Sequence, residues 1–307
     1  MKRLCKLLCL FLTVFLLASC APADPDTVKG DYTFTDSAGH EVTLQKSPTR
    51  VAILLSSFAE IWTLAGGEIA VTVGESIERG ICAEGVTLVD DGAGKSVNTE
   101  VLIAASPDLV ILSADVPAQV EAAALCREAG IPVAEMRVEC FTEYLAMLKI
   151  CTDLTGRSDL YAQYGEAQAA QIDALIAGKP LDGEKILFVR AGSSARSVKP
   201  KSSTDHFAAA MLAELGAANI ADGTPLLADG LSMEYILTED PDHIYFTSMG
   251  DEQASRAFVE QMLTEPEWQA LTAVQNGNYT FLPKDDFHYK PNERWASAYA
   301  YLCEGVS

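Results

Sequence analysis

Residues 100–112 read EVLIAASPDLVIL and residues 234–246 read EYILTEDPDHIYF, and the two stretches align without a gap. Each opens on glutamate, passes through three apolar residues and three of mixed type, reaches Pro-Asp and ends in an apolar run. Proline lacks an amide hydrogen, and its ring pushes the preceding residue out of helical backbone. Each copy is therefore predicted to be a short helix, a sharp turn and a buried strand. Repetition of such a unit predicts two lobes of similar build.

The flanking segments alternate in the same way. RVAILL (residues 50–55) leads to FAEIWTLAG, and DLVIL (108–112) leads to VPAQVEAAALCREAG, with Pro117 in its first turn and Gly130 as its stop. IPVAEM (131–136) leads to a helix from about Thr142. The second half offers KILFVR (185–190), a helix from Asp205, DHIYFT (242–247), a helix from about Glu252, NYTFL (278–282) and a closing helix from Pro291. Strands alternating with helices predict mainly parallel sheets and an α/β fold. Between the halves, residues 156–180 place Leu160, Tyr161, Tyr164, Ala167, Ile172, Leu175 and Ile176 at helical spacing, with Ser158 as N-cap and Gly178 and Pro180 as stops. About 20 residues at 1.5 Å each make a rod of roughly 30 Å, a connection that permits only small lobe rotations.

Residues 1–20, MKRLCKLLCLFLTVFLLASC, have a positive head of Lys2, Arg3 and Lys6 and an apolar run from Leu7 to Leu17. That run is too short to cross a bilayer as a helix, which takes about 20 residues, and reads as an export signal. LASC resembles a bacterial lipobox, a pattern in which Cys20 receives a diacylglycerol thioether and becomes the new N-terminus. The following APADPDTVKGD has little to bury and reads as a flexible tether. The expected division is a signal at 1–19, a lipidated tether at 20–31, lobes at 32–155 and 181–307, and the joining helix at 156–180.

The chain has 43 acidic and 22 basic residues, a formal charge of −21; loss of residues 1–19 removes three positive charges and leaves −24. Such a surface repels nucleic acid and anionic lipid, so the membrane is reached through the lipid alone. Beyond Cys20 the exported part carries Cys82, Cys126, Cys140, Cys151 and Cys303, an odd number with no C-x-x-C. Most are expected to be small buried apolar side chains, with one disulfide left open. His40, His206, His243 and His288 are scattered, which speaks against a zinc site, and each is expected at the surface or as a cap. GAGKS (92–96) lacks the first glycine of a phosphate loop, since Val89 stands there, and Asp90 and Asp91 would meet the phosphate. No hydrolase elbow occurs, GSSAR (192–196) lacking its second glycine. An exported hydrolase and a ligand-free scaffold are the alternatives from other classes.

The acidic chain is interrupted by KILFVRAGSSARSVKPKSST (185–204), which has five basic residues and no acid before Asp205. In open α/β lobes ligands lie beyond the carboxyl ends of the strands. Those ends are predicted at Ser56, Ser57, Phe58, Ser113 and Arg137 in the first lobe, and at Arg190, Arg196, Lys199, Lys201 and Ser248 in the second. Fixed cations in an acidic protein trap anions, and the arginine fork suits carboxylate or phosphate oxygens.

Taken together, the lipobox, YTFTDSAGHEVTLQKSPTRVAILLSSFAEIWTLAGG, NTEVLIAASPDLVIL, LAELGAANIADG, LSMEYILTEDPDHIYF and YKPNERWASAYAYL resemble the substrate-binding lipoproteins of bacterial ABC importers for iron complexes and cobalamin. The resemblance runs from residue 17 to about 302. It implies two α/β lobes joined by a long helix, a ligand in the cleft between them, and no enzymatic activity. It also implies that Glu100 and Glu234 dock onto permease arginines, that Lys95 lies at the cleft rim beside Gly94, and that His288 and Tyr289 lie where relatives contact ligand. The expected ligand is an anionic ferric chelate such as a siderophore. Haem is the alternative, for which Met136, His288 or Tyr289 would supply an axial group. Cobalamin is disfavoured because its relatives commonly use several cleft aromatics, whereas candidate positions here carry small residues such as Gly94, Ser113 and Ala228. No intrinsic cofactor or metal is expected, iron arriving only within the ligand. The implied partners are the permease and, through it, the ATPase, with the protein a monomer anchored on the outer face of the cell membrane.

Overall fold

The structure is a computed structural model that describes residues 30–90, 96–228 and 230–304. The expected export signal (residues 1–19), Cys20, residues 20–29 of the expected tether, Gly94 and Lys95 lie outside the described residues, whereas Asp31, placed at the tether's end, already begins the first strand.

The first half contains β1 (Asp31–Thr35), β2 (Glu41–Gln45), β3 (Val51–Ile53), α1 (Ser56–Leu64), β4 (Ile69–Thr72), α2 (Gly74–Glu78), β5 (Thr87–Leu88), α3 (Thr99–Ala104), β6 (Leu109–Ser113), α4 (Pro117–Glu128), β7 (Val133–Met136) and α5 (Phe141–Thr155). The connection consists of α6 (Ser158–Tyr161), a π-helical turn (Ala162–Glu166) and α7 (Ala167–Gly178). The second half contains β8 (Lys185–Ala191), β9 (Lys199–Pro200), α8 (Phe207–Glu214), β10 (Ala218–Asn219), α9 (Met233–Glu239), β11 (His243–Ser248), α10 (Glu252–Met262), α11 (Pro266–Gln269), α12 (Thr272–Asn276), β12 (Tyr279–Leu282), α13 (Lys284–Phe287) and α14 (Trp295–Glu304).

Two sheets carry the fold. The first has the order β5-β4-β3-β6-β7 and is parallel throughout. The second has the order β10-β8-β11-β12, also parallel, with β9 turned back antiparallel on β8. Strand order reverses beside β3/β6 in one sheet and β8/β11 in the other. The aligned repeats become α3–β6 and α9–β11, so each supplies one strand of a switch point, where α/β sheets open a ligand crevice. Both β6 and β11 are buried along their whole length, as expected of strands covered on both faces. A separate β1–β2 hairpin exposes one face and buries Phe34, Val42 and Leu44 on the other. Asp36 ties it to β7 by accepting the Glu135 N–H at 3.0 Å.

Each sheet has an outer core of its own, around Leu54, Val110 and Leu112 in the first and around Val189, Ile244 and Trp268 in the second. Their other faces share one continuous core that takes in Trp62, Tyr144, Ile172, Phe188, Phe207, Trp295 and Tyr299. The halves are thus joined by packed side chains as well as by the chain.

The joining helix runs from Ser158 to Gly178 in three pieces. Arg157, not Ser158, is its N-cap. Lys179, in left-handed backbone at φ 42°, terminates it after Gly178. Its buried face is Gly165, Gln168 and Ile172, whereas Ala167 is exposed. The π turn sits where a side chain enters the backbone ladder: the Tyr144 hydroxyl donates to Tyr164 O at 3.0 Å and Gln168 Nε2 donates to the same carbonyl at 2.5 Å. A Cβ on Gly165 would lie 2.9 Å from Leu145 Cδ2, so glycine permits the helix its close approach to α5. Tyr144→Phe leaves that carbonyl with one donor fewer, and a loss of about 1 kcal/mol is expected, read as a lower midpoint in denaturant unfolding with unchanged slope.

All five described cysteines are free thiols. Cys126 and Cys151 are buried, and burial pushes the Cys151 thiol up to about 12. Cys82, Cys140 and Cys303 are only partly buried. His243 departs from expectation: it is buried in β11, faces Thr280 Oγ1 at 2.8 Å, and burial pushes its pKa down to about 4.

Candidate ligand cleft

The carboxyl end of β3 runs directly into α1 at Ser56 and Ser57, both buried. Ser56 Oγ donates to Glu75 Oε2 at 2.5 Å and accepts from Arg79 at 2.9 Å. Ser57 meets the other lobe: its Oγ accepts the Lys290 N–H at 3.3 Å and its carbonyl accepts Asn292 Nδ2 at 3.1 Å. Phe58 corrects the sequence reading, since at 2% exposure it packs into the shared core. Met136 does the same at the end of β7, which removes it as an axial haem candidate. Ser113 is buried and accepts the Asp115 N–H, closing the turn after β6. Ser248 ends β11 in a buried position. Arg137 is exposed at the end of β7 and is held by Asp115, with Nε at 2.9 Å and a terminal nitrogen at 2.5 Å.

The basic segment of the second lobe differs from a simple loop. After β8 the chain turns through Ala195–Ser197 and returns as β9, placing Lys199 opposite Arg190 in register. Arg190, Lys199 and Lys201 then line one cavity of about 610 Å³, together with Asp205, Thr224, Pro225 and Ala228. The Arg190 Nε is buried and has no hydrogen-bond partner among the described residues. Arg196 sits exposed on the turn and is not among the lining residues, because the returning strand carries only its successors back to the cavity. Asp205 also borders a second cavity of about 390 Å³, whose walls are Asp115, Arg137 and Glu139 from the first lobe and His206 and Phe207 from the second. The two cavities therefore meet at Asp205, and Arg137 faces the space between the lobes.

His288 and Tyr289 lie between α13 and α14. The Tyr289 ring is flanked by Arg79, 4.1 Å from its centroid, and Lys284 at 5.3 Å. Tyr289, Arg79 and Lys284 border a third cavity of about 690 Å³, spanning α1, α2, α13 and the start of the closing helix, and His288 is not among its lining residues. Burial first, and then the charge of Lys284, lowers the His288 pKa.

Lys290, Glu60 and Asn292, which the sequence did not single out, join the lobes beside these cavities. Lys290 reaches from the second lobe to Glu139 of the first at 2.8 Å, with its Nζ 4.2 Å from the Phe207 centroid. Glu60 also joins the lobes, accepting Arg79 at 2.8 Å, Asn292 at 2.8 Å and Arg294 at 3.3 Å. Asn292 adopts φ 54° to do so, a left-handed backbone uncommon outside glycine and characteristic of constrained sites. His206 caps α8 through Nδ1, which accepts the Ala208 N–H at 3.2 Å. Burial, followed by the nearby Lys290 and Arg190, pushes its pKa down to about 3, so the ring is neutral and free to accept at neutral pH. A capping role was legible for His206; its burial among cleft cations was not. A lone lysine before proline at the start of a buried helix, as in YKPNERW, was the available signal for Lys290.

Asp36, His40 and Glu135 lie close enough to resemble a metal triad. Arg127 already occupies that position, 2.6 Å from Glu135 and 3.8 Å from Asp36, so the cluster is an ion-pair network. Glu100 and Glu234 are exposed in the first turns of α3 and α9, in equivalent places before β6 and β11.

Residues 51–285 match the family model described as periplasmic binding protein. Among solved structures the chain resembles the siderophore binding protein BauB, bound to a complex between two molecules of acinetobactin and ferric iron, with TM-score 0.71 and 15% identity over 90% of this chain and 97% of that one. It also resembles the periplasmic catecholate-siderophore binding protein VctP from Vibrio cholerae, with TM-score 0.70 and 14% identity over 90% and 99% of the two chains. The periplasmic vitamin B12 binding protein BtuF of Vibrio cholerae gives TM-score 0.68 and 17% identity over 84% and 96%. At these identities the likeness is one of fold. The sequence matches none of the curated proteins. Among the described residues, no helix is long and apolar enough to cross a membrane.

Proposed function

The chain belongs to the periplasmic binding protein family, and from that premise we propose that it captures an anionic ferric chelate between its lobes and delivers it to an ABC permease. Arg190, Lys199 and Lys201 on one cavity carry this reading. In a chain of formal charge −21 they form a local anion trap, and the buried, unpartnered Arg190 Nε is a donor that a ligand oxygen would satisfy. The protein supplies no cofactor or metal of its own; iron comes and goes with the chelate. It acts as a monomer, a carrier rather than a catalyst, held on the outer face of the membrane by lipid on Cys20, while the permease passes the ligand on at the expense of its ATPase. Haem remains the second ligand reading, because its propionates would meet the same cations and Tyr289 borders the third cavity.

A thermal-shift screen against a ferric tris(catecholate), ferric citrate, haemin and cyanocobalamin tests this. At a hundredfold excess over Kd, binding adds about 2.7 kcal/mol, a rise of several degrees at roughly 2–4 °C per kcal/mol. The rise is expected with a ferric tris(catecholate) or citrate. Arg190→Gln should weaken that binding by tenfold or more, since hydrogen bonds to charged groups contribute about 1.5–3 kcal/mol, and Arg196→Gln should leave it unchanged. A rise confined to cyanocobalamin overturns the anionic-chelate reading, and one confined to haemin moves the ligand to haem. Equal effects of the two arginine variants would remove the site assignment.

A further inference from the structure

Lys290 and Glu139 belong to different lobes and form an ion pair at 2.8 Å, in which Glu139 lines the cavity of about 390 Å³. The two partners are unequally placed. The Lys290 side chain is only 14% exposed, pinned over Phe207, and its own N–H is bonded to Ser57. Glu139 is 53% exposed, on the loop between β7 and α5, with its N–H held by Glu143 at 2.6 Å. Burial lowers the Lys290 pKa, and Glu139 is the principal group that supports its charge, followed by Glu143 and Asp115. Lys290 lies over Phe207, which lines the same cavity as Glu139, and Asp205 borders both that cavity and the one that holds Arg190 and Lys201. An anion bridging Arg190 and Lys290 would meet the Glu139 carboxylate already in place.

Building on the reading above, we propose that Glu139 is a resident competitor, an intramolecular carboxylate that an anionic ligand must displace from Lys290. A tethered group acts as though present at about millimolar concentration, so a simple carboxylate at lower concentration does not displace it. A partly exposed pair is weak enough to be exchanged, so a chelate presenting several anionic oxygens to the whole cation group does. Glu139 thereby raises selectivity for highly charged ligands at a cost in affinity, a repulsive element built against weaker anions. Once displaced, it also ceases to pull the two lobes together at that point, so ligand capture alters a contact between them.

The test is titration of the full chain, followed by tryptophan fluorescence, with a trianionic ferric tris(catecholate) and with a neutral ferric trihydroxamate. Glu139→Gln is expected to tighten tris(catecholate) binding about fivefold to tenfold and to leave trihydroxamate binding within twofold. Glu252→Gln, a neutralised acid exposed on α10, controls for net charge and should change neither. Lys290→Met keeps the apolar stem over Phe207 and should weaken tris(catecholate) binding; in that background the gain from Glu139→Gln should shrink. Unchanged or weaker tris(catecholate) binding by Glu139→Gln overturns the competitor role and leaves the cleft reading standing. If neither chelate binds to any of these proteins, the cleft reading itself is removed and the competitor role falls with it.

Discussion

Cells carrying Glu100→Ala together with Glu234→Ala are expected to lose uptake of the ligand while the isolated protein keeps its affinity. The two glutamates occupy equivalent, exposed positions, each in the first turn of a helix that leads into a switch-point strand. In a docking role each would pair with a permease cation, and both pairs together would require the lobes to hold a defined spacing. An acid in a first helical turn also interacts favourably with the helix dipole, by about 0.3–1 kcal/mol, so each substitution costs little stability. Neither residue lines the cavities that contain the cleft cations, and affinity should therefore stay within twofold. Each single variant is expected to retain part of the uptake, because one lobe still docks. An uptake assay beside a binding titration decides the matter: parallel loss of both, or undiminished uptake, removes the docking role.

Trp295→Ala should destabilise the protein by about 3–5 kcal/mol, the usual cost of deleting a large buried aromatic ring. At roughly 2–4 °C per kcal/mol for domains of 150–250 residues, the melting temperature falls by about 6–20 °C. The ring is fully buried. It packs on Phe141 at 6.2 Å and Tyr144 at 6.4 Å from α5, and on Phe207 at 5.9 Å from α8. These helices come from the two halves, so the cavity opens at the joint between lobes. Because the indole nitrogen has no hydrogen-bond partner among the described residues, Trp295→Phe forfeits no bond and should recover most of the loss. Trp268→Ala lies in the outer core of the second half and should cost comparable stability without weakening ligand binding, whereas Trp295→Ala should do both. A shift below about 3 °C for Trp295→Ala, or equal binding by the two alanine variants, would show that the aromatic joint does not hold the lobes.

Which elements were legible follows from how local their causes are. The repeat EVLIAASPDLVIL and EYILTEDPDHIYF became α3–β6 and α9–β11 because proline geometry and apolar runs act within a few residues. The β1–β2 hairpin carried a period-two pattern in Tyr32/Phe34 and Val42/Leu44 that went unread. The two-residue strands β5, β9 and β10 had no readable signal, since pairing with a neighbour defines them. For the same reason Arg190 was identified at a strand end, while the return of β9 separated Arg196 from the cavity. Phe58 follows the end of β3 and Met136 ends β7, but their apolar side chains turn into the shared core.

The amino-acid sequence alone determined the two-lobed α/β plan, the helix between the lobes and the basic character of one strand end, because helix stops, strand alternation and charge are properties of neighbouring residues. The tertiary structure decided which charges meet. Glu60 with Arg294, 234 residues apart, and Glu139 with Lys290 are paired across the lobes. Pairs so distant have no periodicity to betray them; they exist only once the two sheets are joined through a shared core.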